Sequence, residues 1–208
     1  MTKKQELKIR DKQITSRRLI SAVGSVLARE GFKGVGINAV AREAGVDKVL
    51  IYRYFGGLQG LMAAFGKEGD FWPSSLELAG GDLQKYSKLS LEERLTAFSK
   101  NFILALRRRP LTQAIMAWEI LERNDLTEEL ESIREQSVME FFKLFFLRDK
   151  APAELQTIVM LMGAAISYLI IRSARIDLYG GIRLDKEQGW EQIEAGIETI
   201  IRGVLSLP

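Results

Sequence analysis

Residues 37–55 read Ile37-Asn-Ala-Val-Ala-Arg-Glu-Ala-Gly-Val-Asp-Lys-Val-Leu-Ile-Tyr-Arg-Tyr-Phe55. Two short segments of helical periodicity flank a single glycine. Val40 and Ala41 fall on the inner side of the first segment, and Ala44 is small enough for the second to approach. Gly45 permits the positive φ that a tight turn between helices needs. Val46 plugs the gap between the helices. Asp47 is placed to cap the next one by accepting from its free backbone N–H groups. Ile51 and Phe55, four residues apart, hold this second helix to a core. Its opposite face offers Lys48, Val49, Tyr52 and Arg53 to solvent: a cation, an apolar contact and two long polar side chains on a helix of major-groove size.

Helical periodicity also dominates outside this stretch, and no convincing alternating strand appears. Upstream, a helix is expected over about Asp11–Glu30, with Leu19, Ala22, Val23, Val26 and Leu27 as its apolar stripe and Gly31 as a left-handed cap. Gly56-Gly57 stops the helix ending at Phe55. A connecting helix is expected from Leu58 to Asp70, reaching towards Leu78, before the break at Ala79-Gly80-Gly81-Asp82. Ser90-Leu91-Glu92-Glu93 spells a capping box; that helix should run to Arg107–Arg109, and Pro110 should open the next, to about Arg123. A long helix to about Arg148, one from Pro152 to about Leu178, a Gly180-Gly181 loop and a final helix over about Lys186–Leu205 complete the pattern. The expectation is an all-α chain of about nine helices in two domains: residues 1–58, a three-helix helix-turn-helix unit, and residues 59–208, a larger helical body.

Charge divides at the same place. Residues 1–58 hold twelve Lys and Arg against five Asp and Glu, whereas the remainder holds 18 against 22. A basic head on an acidic body points to a polyanion partner for the head. The chain has no cysteine and no histidine. Disulfides, thiolate zinc sites and thiol nucleophiles are therefore excluded, as is a Ser-His-Asp hydrolase. No paired acid and base stands out, so no enzyme and no cofactor is expected. The charged N-terminus is not a secretory signal. The longest apolar stretch, Leu155 to Ile171, is interrupted by Gln156, Thr157, Ser167 and Tyr168 and falls short of the roughly 20 apolar residues of a membrane span. A buried helix in a soluble, cytoplasmic protein with no membrane partner is expected.

The first helix ending in Glu30-Gly31-Phe32, the run Val-Ala-Arg-Glu-Ala-Gly-Val-Asp-Lys and the run Ile-Tyr-Arg-Tyr-Phe together resemble the TetR family of bacterial transcription regulators over about residues 14–65. The resemblance implies a dimeric DNA-binding repressor. Lys48 and Val49 would approach bases, and Tyr52 and Tyr54 would bond phosphates. Asn38, early in the second helix, is a further candidate for base contact. Two positions depart from the family pattern. Gly36 stands where Thr or Ser usually caps the second helix, leaving only a backbone N–H for phosphate. Leu58 stands where Lys is usual. Lys33 and the basic arm Lys3–Arg18 are expected to compensate.

In the C-terminal body, the helix after Pro152 is apolar nearly all round and so must be covered on every side. Leu161, Ala164 and Ile171 on that helix, with Trp190, Ile193, Ile197 and Ile200 on the last one, are the expected interface of an isologous homodimer. Two reading helices would then recognise a pseudo-palindrome in double-stranded DNA. Phe102, Met116, Trp118, Phe142, Phe145 and Met162 are candidate walls of a site for a small, largely apolar effector, with Glu119 and Tyr168 as polar groups. Glu119 would favour a cationic group and Arg172 an anionic one, which leaves the ligand's charge open. Two further readings stand beside this one: a ligand-independent regulator of the same fold, and an all-helical adaptor for protein partners.

Overall fold

A computed structural model describes residues 3–68, 70–146 and 155–206. Eleven helices and one small hairpin make up these residues: α1 (Lys3–Gly34), α2 (Ile37–Ala44), α3 (Val49–Phe55), α4 (Leu58–Glu68), α5 (Ser75–Leu78), α6 (Leu83–Ser87), α7 (Leu91–Arg107), α8 (Pro110–Leu121), α9 (Asp125–Phe145), α10 (Leu155–Ser173), β1 (Leu178–Tyr179), β2 (Ile182–Arg183) and α11 (Glu187–Leu205). The all-α class holds.

The count of nine helices is corrected by α5 and α6, four and five residues long. The expected extension of α4 to Leu78 does not form. The helix stops at Glu68, Asp70 takes φ 53°, and Ser74 caps α5 by accepting from the Glu77 N–H. Asp82 caps α6 through the Lys85 N–H. The loop at Gly180-Gly181 is a type I′-like hairpin turn with φ of 57° and 85°, pairing Leu178 with Arg183 and Tyr179 with Ile182. Strands of two residues are too short for alternation to register. The first helix begins at Lys3, eight residues before the expected start, and breaks at Gly31 (φ 66°) before one last turn. The expected ends at Arg148 and Pro152 lie outside the described residues.

Packing groups the described residues up to Trp72 with Ala114–Glu135, and Pro73–Gln113 with the described residues from Gln136 onward. This is a different division from the charge boundary at residue 58. In the first unit, Leu19, Val23, Val26 and Leu27 of α1 meet a core containing Val40, Ile51, Leu61, Met62, Phe65, Ile115, Leu130 and Ile133. Gly60 brings α4 against the end of α3: a β-carbon there would sit 1.9 Å from the Phe55 carbonyl oxygen. The Trp118 indole covers Gly31, where a β-carbon would lie 3.0 Å from the ring.

In the second unit, Tyr86, Phe98, Phe102, Phe141, Phe145 and Phe146 pack ring on ring, with centroid separations from 4.8 to 6.3 Å. The Tyr86 hydroxyl donates to the Arg94 carbonyl at 2.8 Å, and burial pushes its pKa well above the ordinary value. Ser90 and Glu93 form the expected capping box at α7. Arg109 forks onto Glu77 with bonds of 2.8 and 2.6 Å, tying α5 to the end of α7.

Candidate nucleic-acid interface

The helix-turn-helix is built by three local devices. The first is a Schellman turn at the end of α2: Val46 N–H donates to Ala41 O at 3.0 Å, Gly45 N–H donates to Arg42 O at 3.1 Å, and Gly45 takes φ 63°. The second is Asp47, whose Oδ1 accepts from the Val49 N–H at 2.8 Å and fixes the start of α3. The third is the left-handed Gly56, whose N–H returns to Tyr52 O at 3.0 Å and closes α3.

α1 clamps α2 through two cations. Arg18 donates to Ala44 O at 2.6 Å, at the negative end of the α2 dipole, and Arg29 bonds Glu43 at 3.0 Å. These ties span 26 and 14 residues, so no local pattern announced them.

α3 presents one buried and one open side. Ile51 is fully buried and Phe55 is half-buried, its ring edge-on to Tyr54. Val49 is 60% exposed and Tyr52 56%, and Lys48 and Arg53 flank them in solvent. Exposing a valine and a tyrosine on the same helix face gains nothing from the core, and that face is what a groove-reading helix requires. Asn38 is exposed at the start of α2. Gly36 caps α2 in extended backbone, without a side-chain bond. Tyr54 is half-buried on the flank of α3, with the Lys12 ammonium 5.4 Å from its ring centroid. Lys33 is exposed and lies 3.7 Å from Glu122. Leu58 is half-buried and, with Phe32, Gln59, Asn124, Asp125 and Leu126, lines an open cleft.

The residues singled out for an effector fall into both units. Met116, Trp118 and Glu119 belong to the first; Phe102, Phe142, Phe145, Met162 and Tyr168 belong to the second. Glu119 is ion-paired with Arg134, whose guanidinium also lies over the rings of Phe71 and Trp72 at 5.9 and 5.7 Å. Burial raises the Glu119 pKa, against the opposing pull of Arg134. Its Oε1 is buried and has no hydrogen-bond partner among the described residues, and Arg172 Nε is in the same position. Phe102 stacks on Phe98 at 5.8 Å, and Phe142 meets Phe146 at 5.2 Å. Phe141, Phe142 and Phe145 of α9, and Phe146 just after it, are all buried. Tyr168 is exposed and edge-on to Tyr179.

On α10, Leu161 is 59% exposed and Ala164 is open to solvent, while Ile171 is half-buried. The helix is long and apolar enough to cross a membrane by length and composition, yet only 17% of its apolar window is buried within the chain. On α11, Ile200 is exposed and Ile193 and Ile197 are half-buried. Trp190 corrects the expected interface set. It is 1% exposed, donates its indole N–H to Leu184 O at 2.9 Å and lies under the Arg107 guanidinium, so its ring is used inside its own chain.

Residues 19–65 match the family described as bacterial regulatory proteins, tetR family. No functionally curated protein matches the chain. Similar solved structures include a TetR-like transcriptional regulator from Rhodococcus sp. RHA1, with TM-score 0.61, 19% identity and coverage of 93% of this chain and 97% of that one. Another is a TetR family transcription regulator from Marinobacter aquaeolei VT8, with TM-score 0.57, 16% identity and coverage of 91% and 97%. A third is the fatty acid degradation regulator FadR from Bacillus halodurans, with TM-score 0.59, 15% identity and coverage of 93% and 97%. At these identities the likeness is one of fold, and it runs through nearly the whole of each chain.

Proposed function

We propose that this chain, whose residues 19–65 match the TetR family, is a transcription regulator that acts in the cytoplasm as a homodimeric repressor, released from a pseudo-palindromic operator by a small effector. The carrying observation is the open face of α3, where Lys48, Val49, Tyr52 and Arg53 stand on a helix pinned from behind by the buried Ile51. In this reading Lys48, Val49 and Asn38 meet base edges. Tyr52, Tyr54, Arg53, Lys33 and the Gly36 N–H meet phosphates and set register.

Dimerisation is supported by the uncovered apolar side of α10. Leu161, Ala164 and Ile171, with Ile193, Ile197 and Ile200 of α11, would form an isologous four-helix interface. The basic head at residues 1–58 would read DNA, and the body at 59–208 would dimerise and take the effector. The effector would be largely apolar, as the bulky side chains Phe102, Phe142, Phe145 and Met162 of the second unit suggest. A site built around Glu119 would favour a donor or cationic group, and one built around Arg172 an anion. The effector would act by population shift. Preferring a second body conformation, it would move α4, change the spacing of the two reading helices and lower operator affinity.

Selection of binding sites from random duplexes by the purified full-length protein tests the reading. The expected result is an inverted repeat with half-sites about 34–36 Å apart, or a multiple of that. Recovery of no palindrome overturns the dimeric reading. DNA binding that does not weaken with salt overturns the DNA reading and favours an adaptor for protein partners.

A further inference from the structure

α1 is longer than the helix-turn-helix needs. From Arg10 onward its first buried residue is Leu19, yet the helix begins sixteen residues before that, at Lys3. At 1.5 Å per residue the overhang is about 24 Å long. The face that packs into the three-helix core carries Leu19, Val23 and Val26. Followed backwards along the helix, the same face reaches Lys12, seven residues or two turns before Leu19. The inward stripe therefore turns from apolar to cationic where α1 leaves the core.

A cation on the inward line is placed to meet whatever lies against the open side of the three-helix unit. Lys12 also touches the reading helix itself, because its ammonium lies 5.4 Å from the centroid of Tyr54 on α3. Seating on a ring holds the side chain without using up its three N–H donors. Two basic groups of the head are occupied within the chain, Arg18 on Ala44 O and Arg29 on Glu43. Leu58 brings no charge to the start of α4.

We propose that the N-terminal overhang of α1 is a second DNA-contacting element, in which Lys12, seated on Tyr54, binds a phosphate bordering the groove that α3 enters. The inference rests on α3 being the DNA-reading helix. The bound group is a backbone phosphate, so the contact adds affinity and register but no base preference.

Operator affinity of the full chain, measured across a salt series for the parent, Lys12→Gln and Lys12→Arg, tests it. In a homodimer Lys12→Gln removes two neutralised phosphates, one per protomer, which should reduce the steepness of log K against log salt by about 1.8 and weaken binding by about sixtyfold near 0.1 M salt. Lys12→Arg should retain both, and the order of preference among operator variants should stay the same in all three proteins. An unchanged slope for Lys12→Gln beside a salt-sensitive parent overturns the proposal and leaves the DNA reading intact. So does a lowered melting temperature with an unchanged slope, which would make Lys12 a strut for Tyr54 and nothing more. A parent with flat binding across salt overturns both readings.

Discussion

At Gly45 the backbone takes φ 63°, and a β-carbon there would lie 3.1 Å from the Arg18 guanidinium that binds the end of α2. Gly45→Ala is therefore expected to destabilise the chain by about 1–2 kcal/mol through left-handed strain alone, read as a lower denaturation midpoint. Gly36 is the opposite case. Its φ of −157° is ordinary extended backbone, and nothing lies within 4 Å of the space a side chain would enter. Gly36→Ser should therefore be accommodated, gain a few tenths of a kcal/mol as a better N-cap, and tighten operator binding by restoring a hydroxyl beside the phosphates. Unaltered binding in a gel-shift titration would show that this position does not face DNA. On α3, Lys48→Ala should weaken operator binding, and Tyr52→Phe should do so with little change in base preference. Unaltered affinity in both variants would place a different face in the groove.

Among the elements, α3 with α4 and the hairpin with α11 depend on close backbone approach at a glycine. The site of a β-carbon on Gly189 is 1.9 Å from Arg183 O, just as Gly60 abuts Phe55 O. Alanine at either position must push a backbone aside, at a cost of at least about 1–3 kcal/mol. Gly60→Ala should also reduce DNA affinity, because it shifts the end of α3, whereas Gly189→Ala should not. The hairpin carries a titratable brace as well. The Arg183 guanidinium, bonded at 2.7 Å, holds the Asp185 carboxyl down from 3.8 to about 2. In acid the unfolded chain takes up this proton before the folded one does. The brace therefore contributes fully above about pH 4 and is lost as pH falls through about 2. Melting temperatures of the parent and Arg183→Gln should differ at pH 5 and converge near pH 2. The pair is exposed, so the difference is small. Neither glycine contact was visible in the sequence, because each depends on where a second element comes to rest.

For the whole molecule the decisive quantity is the apolar surface that one chain leaves uncovered. Leu161→Glu on the open side of α10 should convert a dimer to a monomer in light scattering and sharply weaken operator binding, without changing the helical content. A dimer that survives this change would move the interface elsewhere. Much of this protein was legible before folding was considered. The helix-turn-helix was readable because its determinants are local: Gly45 for positive φ, Asp47 for a cap two residues away, and a four-residue spacing that buries Ile51 and leaves Lys48 and Tyr52 out. The capping box at Ser90 was readable for the same reason. Other features depended on partners distant in sequence. Trp190 has the periodicity of an interface residue but lies under Arg107 and bonds Leu184 O. Glu119 has the composition of a ligand group but is paired with Arg134. Phe145 has the bulk of a cavity wall, yet it and Phe141 pack on Tyr86, and Phe141 on Phe98. The sequence by itself determined the helical class, the helix-turn-helix and the face that α3 presents, because hydrogen bonds and periodicity within a few residues suffice for these. Only the tertiary structure decided which polar and aromatic groups are already satisfied inside the chain and which, like Lys12, keep their donors free, because that depends on neighbours that only folding brings within reach.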